Sequence, residues 1–177
     1  MSPPRYTRTA ALLHAFTVPL LLLTVALGVW MLELPTGILR LKAFNWHKWA
    51  GMAVLALALL RLLWRAGHRP PPWPAPPPAL QARAARATHA ALYGLLLAVP
   101  LLGWAYSSAQ GFPVVWLGLL PLPDWVPADR ELAAVLKPWH ATAAWALLAL
   151  ATLHALAAAH HQWVRRDGVM ARMSPWR

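Results

Sequence analysis

The chain has 177 residues, of which 59% are hydrophobic and only 12% are charged, with a net charge of +11. Soluble domains carry about 25% charged residues, so a water-covered globule is excluded, and so much apolar material equally excludes a disordered chain. The absence of cysteine excludes disulfide frameworks, thiolate metal sites, iron–sulfur clusters and cysteine nucleophiles. This composition indicates a membrane protein.

Four apolar segments are long enough to cross a bilayer. Residues 9–32 carry no charge, and at about 1.5 Å per residue they span a hydrocarbon core of about 30 Å. Because this first span is too long for a signal-peptide core, we expect it to remain as an uncleaved anchor. The spans are predicted near 9–33, 46–66, 84–106 and 138–164, in a single all-α transmembrane domain over 1–177.

The basic residues predict the orientation of the bundle. With four spans, both termini share one side with the 67–83 loop, and this side collects eleven arginines, including Arg177, against one acid, Asp167. The opposite side has nearly balanced charge. We therefore expect cytoplasmic termini, and no soluble basic face remains to bind nucleic acid.

The two longer connections have different characters. Proline-rich residues 70–78 predict a stiff strap across the cytoplasmic side. The 107–137 loop is expected on the outer, periplasmic side. Within it, residues 129–136 predict a short helix that is capped by Asp129 and lies along the membrane interface.

Seven of the eight histidines lie in or at the edge of a predicted span, where ionisable side chains are costly and mark functional sites. Their depths define two levels. The outer level holds His47 and His140, and the inner level holds His14 and His154, with His89 close to it. His140 and His154 are separated by about 21 Å of helical rise and share nearly the same face.

Two imidazoles from different helices at one depth are what a bis-histidine haem iron requires. Small residues, including Gly28 and Gly103, leave room for a flat macrocycle, although close helix packing also uses small residues. A proton relay is disfavoured because no acid lies deep in a span. A zinc site formed by His160, His161 and His89 is disfavoured because adjacent helical residues point about 100° apart.

Arg61 is the other charged residue deep in a span, and it follows His47 by fourteen residues. Two interpretations remain open from the sequence. The side chain snorkels to the cytoplasmic surface, or it binds an inner-haem propionate or a quinone carbonyl.

Several short motifs lie in a fixed order along nearly the whole chain. After His14 they are Asn45-Trp46-His47-Lys48, Leu60-Arg61-Leu62-Leu63-Trp64-Arg65, the proline-rich strap, His89, Ala98-Val99-Pro100-Leu101-Leu102-Gly103, Leu136-Lys137-Pro138-Trp139-His140, Leu153-His154, His160-His161 and Arg172-Met173-Ser174-Pro175. This ordered set resembles the bacterial two-haem cytochrome b561 family. Within that family, the similarity is closest to the small four-helix superoxide:ubiquinone oxidoreductases.

The resemblance implies a four-helix bundle in the bacterial inner membrane with two b-type haems in its core. His14 and His154 would ligate the inner haem, and His47 and His140 the outer haem. The spacing alone leaves His89 open as a ligand in place of His14. The resemblance also implies ubiquinone near the inner haem, where the available side chains are Arg61, His89 and His161.

The implied reaction is electron transfer from periplasmic superoxide, through the two haems, to ubiquinone. The basic residues expected to guide superoxide are Arg40, Lys42, Lys48 and Lys137, which equally suit interfacial anchoring. The main alternative is a membrane cytochrome b subunit that passes electrons from a respiratory partner protein to quinone. The outer loops are short, so a protein partner is possible but not required. A non-redox alternative is a small transporter or scaffold.

Overall fold

The computed structural model describes residues 4–73 and 76–176, and Pro74 and Ala75 of the predicted strap, together with Arg177, lie outside the described residues. It contains four long helices: α1 (Arg8–Glu33), α2 (Ile38–Gly67), α3 (Ala79–Ala109) and α4 (Arg130–His160). Each is long and apolar enough to cross a membrane. The all-helical, four-span prediction is confirmed.

The helices are longer than the predicted spans, and one predicted element is wrong. Residues 130–137 form the first two turns of α4 rather than a separate interfacial helix. Pro138 removes one helical hydrogen bond, but the flanking residues are good helix formers and the helix continues through it. The predicted cap is confirmed, since the Asp129 carboxylate accepts hydrogen bonds from the backbone N–H groups of Glu131 (2.8 Å) and Leu132 (3.1 Å).

The helices run alternately up and down, with α1 packed on α2, α3 on α4, and α2 on α3. One end of the bundle, the termini pole, holds the start of α1 and the end of α4. The other end, the hairpin pole, holds an antiparallel hairpin of β1 (Val115–Trp116) and β2 (Leu120–Pro121). Two indole hydrogen bonds fasten this hairpin to α2. Trp49 donates to the Val115 carbonyl (2.7 Å), and Trp116 donates to the Trp49 carbonyl (3.1 Å).

An apolar layer occupies the middle of the bundle. It contains the buried Val54, Leu96 and Leu147, with Leu21 packed against them. Each of these four residues follows a histidine by seven positions, about 10 Å of helical rise, so the layer lies midway between the two histidine levels. Many large apolar side chains point outward instead, as a lipid environment requires. Examples are Phe16, Leu23, Leu63, Trp145 and Leu156.

Arg172 ties together three segments at the termini pole. Its side chain is only 4% exposed. The guanidinium donates to the carbonyls of Pro71 (2.6 Å), Pro72 (2.9 Å) and Pro4 (3.2 Å), and it lies 5.6 Å from the Tyr6 ring centroid. The strap, the chain before α1 and the chain after α4 are therefore held by one side chain.

We expect Arg172→Met to loosen this pole because it removes the donors but keeps a long apolar stem. Three carbonyls lose a charged partner, which should cost about 2 kcal/mol or more of stability. The measurement is thermal unfolding in detergent, together with proteolysis of the strap. Arg86→Met is the matched control, since Arg86 is exposed on α3. Equal melting and equal strap protection in both variants would contradict the role given to Arg172.

Candidate functional site

Each of the four helices carries two special positions fourteen residues apart. These pairs are His14 and Gly28 on α1, His47 and Arg61 on α2, His89 and Gly103 on α3, and His140 and His154 on α4. Because neighbouring helices run in opposite directions, the eight positions fall at two levels. The outer level, nearer the hairpin pole, has two histidines and two glycines, and the inner level has three histidines and Arg61.

At the outer level, His47 and His140 face one another across the bundle. Their ring centroids are 6.1 Å apart, and the ring planes are at 83°. This separation accommodates two metal–imidazole bonds of about 2.0–2.1 Å, the length found for imidazole on zinc, plus the two ring radii. The pair has the spacing needed to hold one metal atom between two imidazoles.

Both outer rings are oriented by the same hydrogen bond. His47 Nδ1 lies 2.9 Å from the Thr24 carbonyl oxygen, and His140 Nδ1 lies 2.9 Å from the Val99 carbonyl oxygen. A carbonyl only accepts, so each Nδ1 carries the proton and each Nε2 keeps its lone pair. A second hydrogen bond of this kind is the usual way in which a metal-ligating histidine is oriented.

Gly28 and Gly103 make this arrangement possible. A Cβ atom on Gly28 would lie 2.9 Å from Cε1 of His47, and one on Gly103 would lie 2.8 Å from Cε1 of His140. Real Cβ atoms do not approach other atoms so closely. The two glycines therefore let the imidazoles lie directly against the backbones of α1 and α3.

At the inner level, three imidazoles converge. The ring centroids of His14 and His154 are 6.4 Å apart, and those of His89 and His154 are 5.3 Å apart. The first distance is close to that of the outer pair, whereas the second leaves less space between the rings. Geometry thus favours His14 over His89 as the partner of His154.

Arg61 is partly buried and turns toward α3. Its Cζ atom lies 5.2 Å from the ring centroid of Tyr93, a cation–π distance. Its charge lies within electrostatic range of His14, His89 and His154. This position is compatible with both interpretations that the sequence left open.

His161 is the third residue predicted near quinone, and it lies apart from the other two. It begins a π-helical turn, His161–Arg165, at the end of α4, and its Nδ1 donates to the Asp167 carboxylate at 2.5 Å. Partial burial acts to raise the pKa of Asp167, but hydrogen bonds from His161 and the Val169 backbone N–H hold it below its usual value. No hydrogen bond or ring contact joins His161 to Arg61 or His89 in the described residues.

The four basic residues predicted to guide superoxide differ in their surroundings. Lys48 is partly buried, and its ammonium donates to Ser107 Oγ and to the Pro113 carbonyl, each at 3.4 Å. It therefore ties α2 to the last turn of α3 and to the loop after it. Lys42 and Lys137 are exposed, and Arg40 lies with its Cζ 5.9 Å from the Phe44 ring centroid.

Sequence reasoning did not find three functional groups of the outer level. Two are the backbone carbonyls of Thr24 and Val99, whose sequence signal is a glycine four positions later in each case. The third is the Trp104 indole N–H, which is buried and without a hydrogen-bond partner in the described residues. An unpaired buried donor is costly, so it marks a place suited to an acceptor such as a porphyrin propionate. The paired imidazoles, the unpaired Trp104 N–H and the glycine behind each ring thus fit a bis-histidine haem.

Comparison with known proteins agrees with this geometry. Residues 5–176 match the family described as prokaryotic cytochrome b561. Cytochrome b561 homolog 2 of Escherichia coli is 33% identical, over 97% of this chain and 92% of its own, and homolog 1 is 32% identical over 98% of each. A protein of Yersinia pestis named probable superoxide oxidase CybB is 32% identical over 73% of each chain. The chain therefore belongs to the prokaryotic cytochrome b561 family of haem b proteins, which transfer electrons in the membrane.

Proposed function

We propose that this protein binds two haem b groups, oxidises superoxide at its hairpin pole and reduces ubiquinone at its termini pole. The observation that carries the proposal is the outer pair, in which two imidazoles face each other with both Nδ1 atoms held by carbonyls. Helix packing alone does not require this tautomer, this spacing and a glycine behind each ring.

His47 and His140 would hold the outer haem iron, and His14 and His154 the inner one. When bound, the two haems would supply one-electron redox chemistry at two depths of the membrane. The protein contributes ligands of fixed orientation, and the apolar layer of Leu21, Val54, Leu96 and Leu147 separates the levels. The Trp104 N–H is the candidate donor to an outer propionate, and Arg61 is the candidate partner at the inner level.

The excess of arginine at the termini pole supports an orientation with both termini in the cytoplasm of a bacterial inner membrane. The hairpin pole then faces the periplasm. The exposed Lys42 and Lys137, with Arg40, would raise the local concentration of an anion such as superoxide. Lys48 would act through the loop that it fastens. The name of the Yersinia pestis relative supports superoxide as the electron donor.

Each superoxide that loses one electron becomes O₂, so two superoxide anions are consumed for each ubiquinone, which also takes up two protons. His161 is a candidate to deliver a proton, because Asp167 orients the ring through Nδ1 and leaves Nε2 available for another partner. His89 is the second candidate, at the inner level beside Arg61. Both lie near the termini pole, so the protons would come from the cytoplasm.

The first test of this proposal counts haems in histidine variants. We expect two haems per chain in the wild type, one in His140→Ala and one in His14→Ala, because each iron would lose an axial ligand. His89→Ala is the matched control at the inner level and should retain two. The measurement is haem quantification against protein mass. Loss of a haem in His89→Ala but not in His14→Ala would move the inner ligand to His89.

The second test uses the glycines. Gly103→Ala should displace His140 and lower outer-haem occupancy or shift its potential, because the new Cβ overlaps the ring. Gly94→Ala is the control on the same helix, since a Cβ there meets nothing within 4 Å. That substitution should be neutral or stabilising by up to about 1 kcal/mol. Equal spectra and potentials for both variants would contradict the role of Gly103.

The third test addresses the substrates. Superoxide added to the purified protein with oxidised haems should release O₂ and produce a reduced b-type spectrum. A soluble ubiquinone analogue should then reoxidise the haems and be reduced to its quinol. Lys42→Gln combined with Lys137→Gln should slow haem reduction several-fold and weaken its dependence on ionic strength. Arg83→Gln, at the opposite pole, is the control. Haems that superoxide fails to reduce would contradict the assignment and favour a protein electron donor.

A further inference from the structure

A small basic pocket lies at the termini pole, between α1, α2 and α3. Its cations are Arg61, Arg65 and Arg69, which come from the last turns of α2 and the residues just after it, and His68 lies beside them. Among the described residues that line it, none is Asp or Glu. The pocket therefore concentrates positive charge, and no protein carboxylate in its described lining neutralises it.

Contacts with three elements hold these side chains in place. The Trp64 indole N–H donates to Thr7 Oγ1 at 2.8 Å, which joins α2 to the start of α1. The His68 ring stacks on Trp64, with centroids 3.9 Å apart and planes within 5°. The Arg65 Cζ atom lies 5.9 Å from the ring centroid of Tyr93 on α3, and the Arg61 Cζ atom lies 5.2 Å from the same ring. The positive charge is thus preorganised by the fold.

The pocket is small and partly open. Its volume is about 50 Å³, which is room for a few oxygen-sized groups, since a buried water requires about 10–15 Å³ on the same measure. A phosphate group is compatible with this size and with the positive charge. A quinone ring carries no charge for these arginines to neutralise.

A separate apolar groove of about 600 Å³ lies along the same two helices, α1 and α2, and Trp116 of β1 is also in its lining. On α1, Leu13 lines the pocket, and Phe16, Leu20 and Leu23 follow it in the groove at helical spacing. On α2, Trp64 lines the pocket, and Leu57 and Ala53, at seven and eleven positions before it, line the groove. Charge at the pole and an apolar channel beneath it match the two parts of a phospholipid.

We propose that the pocket binds the phosphate of an anionic phospholipid whose acyl chain lies in the groove. This inference goes beyond electron transfer and does not depend on it. Arg65 and Arg69 would contact the phosphate. The roof formed by Tyr6 and Met173 would be kept in place by Arg172, which binds the chain before α1 and the strap.

The test is retention of phosphatidylglycerol by the haem-loaded, full-length protein, measured by native mass spectrometry after extraction from nanodiscs. We expect one retained phosphatidylglycerol in the wild type. Arg65→Gln combined with Arg69→Gln should reduce the retained fraction about tenfold or more, because charge-assisted hydrogen bonds are lost. The matched control, Arg83→Gln combined with Arg86→Gln, removes the same charge from exposed positions of α3 outside the pocket and should retain the lipid.

Two further measurements distinguish a bound phospholipid from free phosphate as the occupant of the pocket. Ala56→Trp fills the groove and should also reduce lipid retention, and it leaves the arginines intact should the double variant fail to fold. Inorganic phosphate at millimolar concentration should not displace the lipid. Equal loss in the pocket and control variants, displacement by phosphate, or full retention in Ala56→Trp would overturn the proposal. Loss of inner haem, or a shift in its potential, in the arginine double variant would assign the pocket to a haem propionate instead.

Discussion

The organisation of this bundle depends on one contact that occurs twice. An imidazole N–H of one helix bonds to a main-chain carbonyl of the preceding helix, and a glycine four positions after that carbonyl gives the ring its space. His47 on Thr24 and His140 on Val99 are the two cases, each with a distance of 2.9 Å. The contact fixes which nitrogen is protonated and leaves the other nitrogen with its lone pair. Without it, two histidines in a membrane would be costly polar groups with no defined direction.

The same pattern is repeated in the two consecutive helix pairs, α1–α2 and α3–α4. The α1–α2 pair and the α3–α4 pair each present a histidine and a glycine on the first helix and a histidine on the second. They differ at a single position of this pattern, because α2 has Arg61 where α4 has His154. Three imidazoles and one guanidinium therefore share the inner level, whereas the outer level is symmetric. This difference makes the two levels chemically distinct.

The two poles are also closed in different ways. At the hairpin pole, indole and ammonium groups of α2 bond to the loop after α3, and Lys48 is among them. At the termini pole, the buried guanidinium of Arg172 bonds to the chain before α1 and to the strap, and so links both to the chain after α4. Charged side chains thus have structural roles at both ends, and net charge alone does not reveal which of them remain free to meet a ligand. Lys42 and Lys137 are exposed, whereas Lys48 and Arg172 are engaged.

The sequence by itself determined the four spans, the two histidine levels and the Asp129 cap, because these depend on hydropathy, helical periodicity and local hydrogen bonding. It also indicated the family, since ordered motifs survive at about one-third identity. It did not determine that residues 130–137 extend α4, because a proline within a helix gives no local sign of whether the helix stops. Only the tertiary structure decided the roles of the Thr24 and Val99 carbonyls and the partners of Lys48 and Arg172. Each of these depends on distances between helices far apart in the chain, and helical spacing gives the depth and face of a residue but not the distance across the bundle.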